Sequence, residues 1–115
     1  MAKTVAKIMG VLLLLVGVLG FTHVLDPLGA HLNPAHNLVH IVSGVLSLYF
    51  GFAGSFSAAR TFCLVFGLVY LLLGIVGLAM GTLTIGPLML GAVDHGIHLL
   101  LGVIFLAGGL FTKNP

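Results

Sequence analysis

Polar residues in this chain are gathered into short breaks between long apolar runs. About 20 residues at a rise of 1.5 Å each cross a bilayer as a helix. Four stretches reach that length, at about 5–22, 35–53, 60–80 and 94–111, and the pattern predicts four membrane-spanning α-helices. The first, Val5 to Thr22, follows Lys3 and carries Lys7, as a signal peptide would. Gly17-Val18-Leu19-Gly20-Phe21 offers no small-x-small cleavage site, however, and the stretch has a later copy in the chain, so a retained helix is expected.

That copy is part of a longer repeat. Met9-Gly10-Val11-Leu12-Leu13-Leu14-Leu15-Val16-Gly17-Val18-Leu19-Gly20 aligns with Phe66-Gly67-Leu68-Val69-Tyr70-Leu71-Leu72-Leu73-Gly74-Ile75-Val76-Gly77, with three glycines in register. Thr22 precedes Pro27-Leu28 as Thr82 precedes Pro87-Leu88. His36-Asn37-Leu38-Val39-His40, with Gly44 four residues on, aligns with Asp94-His95-Gly96-Ile97-His98 and Gly102. The fold expected is therefore all-α: a single four-span membrane domain over residues 1–115, made of two similar helical hairpins at about 5–53 and 60–111. Each hairpin has an even number of spans, so a pseudo-two-fold axis along the membrane normal is expected, with the second and fourth helices facing it.

Composition sharpens this into a class. Sixty per cent of the residues are hydrophobic, 5% are charged and the mean hydropathy is +1.31, whereas a soluble domain has roughly 25% charged residues. A water-soluble globule is excluded. A formal charge of +2 is too small for a surface that tracks phosphates, which excludes nucleic-acid partners. The lone Cys63 excludes an internal disulfide and a cysteine-based zinc site. Lys3, Lys7, Arg60 and Lys113 all fall on the side of the N-terminus, the Gly54–Ala59 link and the C-terminus. By the positive-inside rule that side is cytoplasmic and the chain is expected in the cytoplasmic membrane. The opposite side carries Asp26, Asp94 and all six histidines: His23, His31, His36, His40, His95 and His98.

Small residues should hold such a bundle together, because lipid gives little hydrophobic drive between helices. Ser43, Ser47, Gly51 and Ser55 recur every four residues with Gly44 and Gly54 beside them, and Gly10/Gly17 match Gly67/Gly74. Tyr70, near mid-membrane, needs a hydroxyl partner, with Ser43 or Ser47 at similar depth. Phe50, Phe52, Phe56, Phe62 and Phe66 read as packing and interface anchors, and Cys63 as a small buried apolar residue. Asn33-Pro34 reads as an N-cap followed by a first-turn proline, and Asp94 as a favourable charge at the start of the fourth helix.

Chemistry concentrates on the His side. Residues four apart share one helix face, so His36/His40 and Asp94/His98 place three imidazoles and one carboxylate together if their helices face each other. His40 and His98 lie about 6 Å deeper than His36 and Asp94. Three readings compete. These residues are helix caps and interfacial polar groups; or they bind a transition metal (Zn, Cu or Fe) through His36, His40, Asp94 and His98; or His40 and His98 hold a tetrapyrrole, a bis-His haem b or a chlorophyll magnesium. In the last two, Gly44 and Gly102 leave room beside the site, and His95, His31 and His23 are supporting or access positions. No outer-side Lys or Arg is available for haem propionates. The sequence has no His-Glu-x-x-His motif and no serine paired with a base, so it is read as a non-enzyme. Its partners are the lipid bilayer and either further copies of itself or a larger membrane complex, for instance a photosynthetic or electron-transport one, in which it serves as a structural accessory subunit.

The His-Asn-Leu-x-His and Asp-x-x-x-His motifs, each followed by a glycine one turn later, together with Ala58-Ala59-Arg60, resemble an uncharacterised bacterial family. It is a "domain of unknown function" family of small four-helix membrane proteins found mainly in actinobacteria and cyanobacteria. The resemblance covers nearly the whole chain and implies the four-helix fold and the pairing of His40 with His98. His95 departs from it, standing where the family pattern usually has Asn, and the loop between the first two helices is shorter than in many members. No activity is implied.

Overall fold

A computed structural model describes residues 1–22, 24, 27, 33–86 and 88–112. Four helices make the bundle: α1 (Ala2–Gly20), α2 (Pro34–Phe52), α3 (Phe56–Met80) and α4 (Ala92–Leu110). All four are long and apolar enough to cross a membrane. Their outward residues are apolar as well. Leu15, Val42, Leu72 and Leu100 expose half or more of their surface, a belt that suits lipid and not water.

Caps, rather than hydropathy, set the helix ends. Asn33 Oδ1 accepts from the His36 N–H at 2.8 Å, with Pro34 at the first helical position. Ser55, expected on the second helix's small-residue stripe, lies beyond the end of α2 at Phe52. It instead starts α3, its Oγ accepting from the Ala58 N–H at 3.0 Å. Hydropathy marks only the apolar middle of a helix, so α3 begins four residues before the expected 60.

Between α3 and α4 the chain forms a structure that the apolar pattern did not announce. β1 (Leu83–Ile85) pairs antiparallel with β2 (Leu88–Leu90), with Leu83 opposite Leu90 and both buried. Gly86 has φ 57° at the turn, the left-handed conformation that a two-residue hairpin connection demands.

Close packing lies within each hairpin, α1 on α2 and α3 on α4, and glycine makes it possible. Gly10 of α1 lies against Leu48 of α2, and Gly67 of α3 against Leu106 of α4. Gly17 meets Ile41 as Gly74 meets Leu99; Gly44 meets Leu14 as Gly102 meets Leu71. Each of these glycine contacts of the first hairpin has its counterpart at the aligned position of the second. A methyl group at Gly44 would stand 2.7 Å from the Leu14 backbone nitrogen, and at Gly102 2.5 Å from that of Leu71, so the backbones are in contact.

The hairpins join through an aromatic core. Phe105 is fully buried at its centre, with Phe62 and Phe66 edge-on to it at 5.9 and 6.2 Å and Tyr70 stacked at 6.2 Å. The Tyr70 hydroxyl is hydrogen-bonded to Ser43, while Ser47 Oγ donates to the Ala6 carbonyl at 2.6 Å. At the end away from the histidines, the Ala2 N–H donates to Thr112 Oγ1, which donates to the Gly108 carbonyl. Cys63 is buried, its Sγ 3.5 Å from the Ala2 carbonyl. Arg60 Nε donates to the Gly109 carbonyl at 3.0 Å, and Lys7 Nζ sits 4.8 Å over the Phe52 ring.

Candidate metal centre

His36 and His40 lie one turn apart on α2, and His98 comes from α4. Their rings meet inside the bundle, with centroids 4.3 Å apart for His36 and His40 and 6.0 Å for His36 and His98. All three are at most 5% exposed. One ring nitrogen from each lies within 4.8 Å of the others, so the three offer a single ion three ligand atoms. A tetrahedral ion with bonds of about 2.0–2.1 Å would hold those nitrogens about 3.4 Å apart.

Burial makes the cluster costly as it stands. Nδ1 of His40 and Nδ1 of His98 are inaccessible and have no hydrogen-bond partner. A buried polar atom left without a partner costs about 1–3 kcal/mol, and an ion that accepts its lone pair removes that cost. Neutral imidazoles are ligands of borderline softness, suited to Zn, Cu and Fe.

Of the four residues expected to bind metal, the structure brings three into one group; Asp94 stands outside it. Its Oδ2 accepts from the Gly91 N–H at 2.9 Å, satisfying the backbone donor that precedes α4. A carboxylate in the first turn of a helix is drawn to that donor by the helix dipole.

Three other expectations need correction or lie elsewhere. Gly44 and Gly102 leave no room beside the histidines: the space over each is filled by α1 and α3 backbone. The opening invoked for a flat haem or chlorophyll ring between His40 and His98 is therefore closed at those positions. His95 is not an access residue. It is 1% exposed, packs over Gly77, and donates from Nε2 to the Gly81 carbonyl at 2.5 Å, tying α4 to the end of α3. In the first hairpin Asn37 packs over Gly20 in the same way. His23, His31, Asp26 and Lys113 lie outside the described residues.

The sequence reading missed one neighbour of the site. Tyr70 of α3 lies 5.6 Å from His98, ring to ring, and connects the histidines to the aromatic core. A tyrosine at mid-membrane signals a hydrogen bond, and Ser43 was one of its two expected partners, but nothing in its spacing tells that its ring also meets His98 of α4.

The fold and site define a class: an apolar four-helix bundle with a buried three-histidine cluster. The family model for a domain of unknown function, DUF4383, matches residues 3–111, and the chain belongs to that family. Comparison with curated proteins and with solved structures gives no match.

Proposed function

We propose that this protein is a metal-binding protein of the cytoplasmic membrane, holding one first-row transition metal ion through His36, His40 and His98. The observation that carries the reading is the convergence of three buried imidazoles whose ligand atoms lie within 4.8 Å, two of them with an unpartnered Nδ1. Ionisable residues inside a membrane are costly and are kept for a task. Among the described residues three protein ligands converge, which leaves one position of a tetrahedral ion to a further ligand.

Orientation follows from charge. Arg60 is tied to the end of α4 and the N-terminus to Thr112, so Lys3, Lys7 and Arg60 share the end remote from the histidines. The positive-inside rule puts that end in the cytoplasm and the histidines toward the extracytoplasmic side. The reading is one of binding: among the described residues the carboxylate near the cluster, Asp94, is engaged at the start of α4.

Equilibrium dialysis of detergent-purified protein against Zn2+ tests the site. Saturable uptake of about one ion per chain is expected. Uptake that never saturates, or none, contradicts the reading.

A further inference from the structure

Among the described residues, the end of the bundle remote from the histidines gathers cations and no acidic side chain. Lys3 and Lys7 lie four residues apart on α1, both half-buried, and so share one face of the helix. Arg60 joins the same end through the Gly109 carbonyl. The chain's two acidic residues belong elsewhere in sequence: Asp26 follows α1, and Asp94 lies in the first turn of α4. Like charges at i, i+4 repel. Lys3 also stands in the first turn of α1, where the positive end of the helix dipole disfavours a cation. An anion between the two ammonium groups relieves both.

The lysines stand at the mouth of an apolar groove. Lys7 lies five residues inside the start of α1, about 7.5 Å along the helix. Its stem packs across Gly51 of α2, where an added methyl would stand 2.8 Å from Lys7 Cγ and 3.2 Å from the Lys3 carbonyl oxygen. Its Nζ sits 4.8 Å over the Phe52 ring. An open groove of about 330 Å³ begins there, lined by Lys7, Ile8, Val11, Leu12 and Phe52. Beyond the lysine every wall is apolar and exposed, and from Lys7 to Leu12 the groove runs about 7.5 Å toward mid-membrane.

The two parts select one occupant between them. The apolar walls take a hydrocarbon chain, and the lysine pair chooses its head. A zwitterionic head brings a further cation to the pair, and a soluble anion leaves the groove uncovered. A lipid with a net negative phosphate head suits both parts. We propose that this face of α1 and α2 binds an anionic phospholipid, its phosphate between Lys3 and Lys7 and one acyl chain along Ile8, Val11 and Leu12. The proposal rests neither on the metal reading nor on the orientation in the membrane.

The sequence contains no tryptophan, so a single introduced one reports on the lipid beside it, and a dibrominated acyl chain quenches its fluorescence at short range. Val11→Trp places the reporter in the groove. Val65→Trp places it on α3, likewise exposed and likewise nine residues inside the start of its helix. Each protein is reconstituted in phosphatidylcholine vesicles containing dibrominated phosphatidylglycerol or, in parallel, dibrominated phosphatidylcholine. At Val11→Trp the anionic lipid is expected to bind about tenfold more tightly than the zwitterionic one, and at Val65→Trp the two should be equivalent. Adding Lys7→Gln to the groove reporter should cut the preference about fivefold, the effect of one cation near a headgroup. Adding Arg60→Gln, which removes the same charge from the same end, should leave it in place. Equal ratios at the two reporters overturn the proposal, because net charge would then act on all the surrounding lipid alike. A preference that Lys7→Gln leaves intact, or that Arg60→Gln removes to the same extent, also overturns it.

Discussion

Gly102→Ala is expected to destabilise the bundle by about 2–3 kcal/mol, at the upper end of the usual cost of overpacking. The added methyl would stand 2.5 Å from the Leu71 backbone nitrogen and 2.7 Å from its Cα. Backbone atoms of a neighbouring helix have no rotamer to change, so α3 and α4 must separate along the seam that Gly67, Gly74 and Gly109 also hold close. The contrasting change is Gly96→Ala. Gly96 lies in the same helix with no atom within 4 Å of the added methyl, and alanine should stabilise there by up to about 1 kcal/mol through helix propensity. Unfolding in mixed micelles across an SDS series reads both. If the two variants shifted alike, the glycines would not be the contact surface described here.

Removing a histidine should have the larger consequence for function. His98→Ala is expected to weaken Zn2+ binding by more than about 100-fold, since loss of a ligand costs more than the 10–100-fold typical of losing a group that merely supports one. Asp94→Asn keeps an oxygen that accepts from the Gly91 N–H, and it should change affinity by less than about tenfold. Competition titration with a chromophoric zinc chelator separates the two, with gel filtration in detergent confirming that each variant remains folded. A hundredfold loss in Asp94→Asn would place the carboxylate on the ion and contradict the three-histidine assignment.

What was legible in the sequence followed from regular spacing. Runs of apolar residues located the four helices, and the aligned glycines indicated the hairpin contacts that Gly10, Gly17, Gly67 and Gly74 make. The i, i+4 pair His36/His40 and the matched His98 located the cluster. What was hidden depends on direction or on short-range competition. Gly44 and His40 are one turn apart, yet Gly44 faces α1 while His40 reaches the cluster, and spacing along one helix does not say which neighbour each meets. Asp94 had two physically sound uses, as a cap and as a ligand; the backbone donor of Gly91 is only three residues away and takes its Oδ2. His95 matched the aligned Asn37, and both cover a glycine of the adjacent helix. The β1–β2 hairpin escaped notice because three-residue strands are too short for alternation to register.

Whether His36, His40 and His98 hold a metal ion is tested most directly by inductively coupled plasma mass spectrometry on protein purified from membranes through a tag without histidine. About one equivalent of Zn, Cu or Fe per chain, absent from the His40→Ala/His98→Ala double variant, is the predicted result. No stoichiometric metal in the parent protein, or the same metal content in the double variant, would contradict it.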